Sequence, residues 1–99
     1  MRVTSDQLQL FKMLGRRYFG ADAELRLFGS RADDSLRGGD IDILLDIPDR
    51  VGNPALLAAK FAAKVSRLMS GRKVDVVLLA PNLARLPIHD VAFREGIKL

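Results

Sequence analysis

Two short aliphatic runs with aspartates at alternating positions constrain this chain more than anything else in it: Gly39-Asp40-Ile41-Asp42-Ile43-Leu44-Leu45 and Lys73-Val74-Asp75-Val76-Val77-Leu78-Leu79. Acids alternating with β-branched residues before a Leu-Leu pair have the period of a strand with one buried face. Residues i and i+2 point to the same side, so Asp40 and Asp42 stand about 6 to 7 Å apart along the backbone, given roughly 3.3 Å of rise per residue. Like charges placed that close beside Ile41 and Ile43 repel each other, and a hard cation would stabilise them. Magnesium is the simplest candidate, because it takes oxygen ligands, keeps several waters and is held by one or two carboxylates together with substrate phosphates. If the second run neighbours the first, Asp75 joins the pair and a two-metal arrangement becomes available.

A glycine-serine step precedes these runs. The strand pattern Glu24-Leu25-Arg26-Leu27-Phe28 ends at Gly29-Ser30 and leads into Arg31-Ala32-Asp33-Asp34-Ser35-Leu36, which reads as a tight turn opening a helix with Ser30 as N-cap. Backbone N–H groups at a helix start attract anions. Gly29 lets a phosphate approach the main chain, the Ser30 hydroxyl can bond a phosphate oxygen, and Arg31 can add charge at the same place. Taken singly, a Gly-Ser turn is most often only a turn, and an Asp-x-Asp pair most often a solvated strand edge. Their order along a short chain is what carries weight: strand, Gly-Ser, helix, strand with Asp-x-Asp, long helix, strand with Asp.

That order, in GSRADDSLRGGDIDILL followed by VDVVLL, resembles the core motif of the DNA polymerase beta-like nucleotidyltransferase superfamily, and the short chain looks like its minimal prokaryotic group. The resemblance implies an α/β (α+β) fold, a small mixed sheet flanked by helices. It implies that Gly29 and Ser30, aided by Arg31, hold the triphosphate of ATP or another nucleotide. Asp40 and Asp42 would ligate Mg2+, while Asp75 completes the second metal site and helps deprotonate the acceptor hydroxyl. Minimal members often read Gly-Ser-x-Ala-Arg-Gly, whereas acids occupy positions 33 and 34 here, leaving Arg31 or Arg37 to supply the charge. Such proteins commonly pair with a HEPN-type helical partner in toxin-antitoxin modules, where the nucleotidyltransferase is the antitoxin and can transfer AMP to a tyrosine of the toxin. The competing readings are a module that neutralises its partner by contact alone, and transfer to a small molecule or an RNA end.

Composition sets the outer bounds. Ninety-nine residues read as one domain over 1–99, near the lower size limit for a core without staples. The absence of cysteine removes disulfides and thiolate metal sites and suits the reducing cytosol. No apolar leader core or bilayer-length run is present, so a cytoplasmic protein is expected. Sixteen basic residues against twelve acids give a net charge of +4, and four of those acids fall between Asp40 and Arg50. A basic body around an acidic notch suits metal-bound nucleotide and an acidic partner, with nucleic acid a less favoured one.

The remaining elements follow from periodicity. Thr4 or Ser5 caps a first helix carrying Leu8, Phe11, Met13, Leu14 and Tyr18 at helical spacing, and Gly20 ends it. Asn53 as N-cap and Pro54 at the first helical position open a second helix to about Met69, with Leu57, Phe61, Val65 and Leu68 as its buried stripe and Lys60, Lys64 and Arg67 opposite. Pro87 opens a last helix that stops at Gly96, and Ile97-Lys98-Leu99 follows as an edge strand or a docking segment. His89 beside Asp90 is a conceivable general base, but the carboxylates already provide proton acceptance and a structural or surface role is preferred.

Overall fold

The computed structural model describes residues 3–28 and 41–99. Helix α1 (Ser5–Phe19) is followed by strands β1 (Glu24–Phe28) and β2 (Ile41–Asp46), helix α2 (Pro54–Leu68), strand β3 (Val74–Leu79), helix α3 (Pro87–Glu95) and the short strand β4 (Ile97–Lys98). The expected small mixed sheet flanked by helices is what forms. The strand order is β3-β2-β1-β4: β1 runs antiparallel to β2 and β4, and β2 runs parallel to β3. Parallel neighbours need a crossover longer than a hairpin, and α2 supplies it.

Alternation sorts the side chains onto two faces. Ile41, Ile43 and Leu45 of β2 join Leu25 and Leu27 of β1 under Phe11 and Phe19 of α1, Phe61 and Val65 of α2, and Met69 at the C-cap of α2. On the opposite face a thinner cluster forms from Phe28, Leu44 and Ala92, with Val77, Leu79 and Phe93 packed against it beneath α3. Helix α1 can lie close to the sheet because residue 15 is glycine: a Cβ there would come within 2.7 Å of Leu25 Cδ1 and 3.1 Å of Leu45 Cδ2.

The helix ends explain their own positions. Thr4 caps α1 through its hydroxyl, which accepts from the Gln7 N–H at 3.2 Å, while Gln7 Oε1 accepts from the Thr4 N–H at 2.8 Å. Asn53 does sit at the N-cap of α2, but its backbone is left-handed (φ 52, ψ 53) and its side chain makes no capping bond, so Pro54 rather than a cap opens the helix. The chain leaves α2 through Ser70 and Gly71, both at positive φ. Two expectations about helix faces are corrected. Met13 is 62% exposed, outside the α1 core stripe, and on α2 the stripe runs Phe61, Val65, Met69, leaving Leu68 38% exposed. Spacing of i, i+4, i+8 keeps Met69 in line with Phe61 and Val65 over the sheet, while position 68 rotates to the flank. The Gly29, Ser30, Arg31 and Asp40 assignments, and the short helix after Ser30, lie outside the described residues.

Candidate functional site

Aspartates 42 and 75 are brought together. In the parallel register of β2 and β3, Asp42 is the direct partner of Asp75, as Ile41 is of Val74 and Ile43 of Val76. Neighbouring strands lie about 4.8 Å apart and paired residues project to the same face, so the two carboxylates share one side of one rung. That rung is the second position of each strand, at the end of the sheet where β1 finishes, and Phe28 is the antiparallel partner of Asp42. Asp42 does not stand on an edge strand, because β2 lies inside the sheet between β1 and β3.

Helix α3 covers the rungs beyond the carboxylates and, on the β1 side of their own rung, Phe28. Its Ala92 and Phe93 pack with Leu44, Val77 and Leu79, which continue β2 and β3 beyond the aspartates. Both aspartates are therefore half-buried at the margin of a small apolar cluster. Lys73, two residues before Asp75 and just ahead of β3, places Nζ 4.0 Å from Asp75 Oδ1 in an exposed pair. The i, i+2 spacing of Lys73 and Asp75 already encoded this contact, and it puts a cation at the carboxylate from within the chain. Among the described residues no group of three or more His, Asp or Glu side chains gathers for a metal. A pair of half-buried hard oxygen donors on one rung fits a divalent cation that keeps water and shares phosphate oxygens.

His89 lies elsewhere and does something else. It is 2% exposed; its Nδ1 accepts from the Leu86 N–H at 2.8 Å, and Nε2 is 2.8 Å from the Leu78 carbonyl oxygen. With Nδ1 accepting, the ring proton sits on Nε2 and is donated to Leu78, so the imidazole closes the start of α3 and ties it to β3. The preference for a structural role holds, and both ring nitrogens are engaged away from the aspartates. A second tie was not visible in the pattern of the chain. The Asn82 side chain accepts from the Val51 N–H at 3.0 Å and donates to the Val51 carbonyl at 2.9 Å, joining the loops that follow β2 and β3.

A family model described as a nucleotidyltransferase domain matches residues 9–98. The chain belongs to the nucleotidyltransferase domain family. Solved structures agree at the level of fold. A chain of a toxin-antitoxin complex crystallised with AMP-PNP superimposes with a TM-score of 0.69 at 20% identity, covering 94% of this chain and 69% of that one. A chain from the Shewanella oneidensis complex of a tri-AMPylated HEPN toxin with its MNT antitoxin gives 0.62 at 22% identity, over 91% and 69%. A mutant MntA-HpeT toxin-antitoxin complex gives 0.63 at 21% identity, over 97% and 71%. No curated relative matches the chain in sequence. In this nucleotidyltransferase-family chain no helix among the described residues is long and apolar enough to cross a membrane.

Proposed function

We propose that this chain transfers AMP from ATP to a hydroxyl on a HEPN-type partner protein in the cytoplasm, acting as the antitoxin of a toxin-antitoxin pair. The observation that carries the proposal is the Asp42–Asp75 rung: two carboxylates abreast on the open margin of a nucleotidyltransferase-family sheet. The neighbouring folds support the choice of nucleotide and partner, one having been crystallised with AMP-PNP and another with an AMPylated HEPN toxin.

Asp42 and Asp75 would hold Mg2+ together with Asp40, which directly precedes Ile41 in the sequence. Bound magnesium supplies charge neutralisation at the attacking and leaving oxygens of an in-line displacement. Asp75 accepts the proton of the acceptor hydroxyl, whose oxygen forms a bond to the α-phosphorus as the bond to the β-phosphate oxygen breaks and pyrophosphate departs. Gly29, which follows Phe28 directly, and Ser30 hold the triphosphate through backbone N–H and hydroxyl donors, with Arg31 adding charge. Lys73 contributes a further cation on the aspartates' side of β3. Positioning and electrostatics then account for most of the rate.

Incubating the chain with magnesium, a HEPN-type partner protein and ATP labelled at the α-phosphate should label the partner; ATP labelled at the γ-phosphate should not. Labelling that survives Asp42→Ala undiminished, or that comes from the γ-phosphate, overturns the proposal. The acids at positions 33 and 34 favour one alternative, neutralisation by contact alone. Toxin inhibition that persists in Asp42→Ala without any labelled product would establish it.

A further inference from the structure

On the face of the sheet away from Asp42 and Asp75, the outer sides of α1 and α2 leave a trough of about 300 Å³ lined by Leu10, Met13, Leu14, Lys64, Arg67 and Leu68. A second hollow continues it past Tyr18, Lys60 and Ala63. Residue numbers rise along α1 as they fall along α2, so the helices run antiparallel and the trough follows their length, about 12 Å from Leu10 to Tyr18 at 1.5 Å per residue. Its floor and one wall are apolar: Met13 is 62% exposed and Leu10 and Leu68 are each 38% exposed. The other wall is a ridge of cations, Lys60, Lys64 and Arg67, at successive helical turns. The two helices together carry the bases Lys12, Arg16, Arg17, Lys60, Lys64 and Arg67 against a single acid, Asp6 in the first turn of α1.

An elongated apolar trough with one positive wall is complementary to a particular shape and charge. We infer that it takes an amphipathic helix of a partner protein that presents leucine-type side chains to the floor and glutamate or aspartate to the Lys60–Arg67 ridge. A second copy of this chain would bring the same cations against themselves across a two-fold axis. A lipid surface is flat and engages protruding apolar faces, whereas Leu14 lies recessed between two helices. Docking here leaves the Asp42–Asp75 margin open, so the inference stands whether or not AMP is transferred there. In a pair that does react, this face would hold the partner while the other works.

The test uses the whole chain and a fluorescein-labelled designed peptide with leucines at i, i+3, i+4 and i+7 and glutamates on the flanks. Controls are the same peptide with lysine for glutamate and a scrambled leucine-glutamate peptide. The glutamate peptide should bind saturably, shift the amide resonances of α1 and α2, and weaken with salt. Binding should be at least about tenfold weaker for Met13→Glu and for the double change Lys64→Glu with Arg67→Glu. These side chains are exposed and circular dichroism should be unchanged; if the double variant loses helicity, Arg67→Glu alone serves. The inference is overturned by no saturation up to about 1 mM peptide, by equal binding of the lysine or scrambled peptide, or by affinity that is insensitive to both changes. Concentration-dependent dimerisation abolished by Met13→Glu, or tighter binding of anionic vesicles or of RNA than of the peptide, likewise assigns the trough to another occupant.

Discussion

The two faces of the sheet differ in what they bury and in what they leave open. Beneath α1 and α2, Ile41, Ile43 and Leu45 are wholly inaccessible, and two fifteen-residue helices seal them with Phe11 and Phe61. Among the described residues, the helix on the other face is the nine-residue α3. Its apolar cluster takes in Phe28 on the β1 side of the second rung, where Asp42 and Asp75 lie half-buried side by side. The same strands thus serve both purposes through alternation alone: odd positions of β2 build the core, and even position 42 carries a carboxylate. The carboxylates sit on the thinly covered face of a strand whose other side is fixed by the largest hydrophobic cluster, which holds them on a rigid element.

This division gives the predictions their form. The largest expected effect separates activity from stability. Asp42→Ala should lower the proposed AMP transfer by about two orders of magnitude or more, yet leave the melting temperature near that of the unchanged protein. Loss of the fold in that variant would show that the margin and the core are not independent. On the sealed face the signs invert. Phe61→Ala empties a fully buried site that also meets Phe19 edge to face at 6.0 Å. It should cost about 3 to 5 kcal/mol in urea unfolding, a large share of what a domain of this size possesses.

Effects on the thin face should be intermediate. His89→Ala leaves the Leu86 N–H and the Leu78 carbonyl without their partner, and about 1 to 3 kcal/mol is expected. Hydrogen exchange should show faster opening in α3 than in α2; uniform acceleration throughout would mean that α3 does not open separately. The smallest effect is expected for Arg85→Ala. It removes a half-exposed ion pair with Asp90 at 2.8 Å and a guanidinium contact with the Phe93 ring, which Arg26 also meets at 4.5 Å. A change below about 1 kcal/mol in the same unfolding assay fits an exposed pair. A larger one would identify Arg85 as a principal tie of α3.

What could be read from the chain, and what could not, follows the same physics. Alternation around Asp42 and Asp75 set the two strands and the faces of their carboxylates, because period two is a local property of the backbone. That Asp42 pairs with Asp75 depends on register between strands separated by a whole helix, which spacing within either run does not contain. The position of β2 inside the sheet was invisible for the same reason. Helical spacing placed Phe11, Phe61 and Val65 correctly but could not tell Leu68 from Met69, which lie at adjacent margins of one stripe until a sheet is set against them. The clasp of Asn82 on Val51 joins loops 31 residues apart, beyond any local signal. Lys73, by contrast, stood two positions before Asp75, just ahead of β3, and its contact was available from the pattern alone.

The most direct test of the division between faces is a manganese titration followed by NMR relaxation, with AMP-PNP present. Paramagnetic broadening centred on the amides of residues 41–43 and 74–76, with α1 and α2 resonances left sharp, is the predicted result. Broadening centred on the α1–α2 face, or no selective broadening at Asp42 and Asp75, would contradict it.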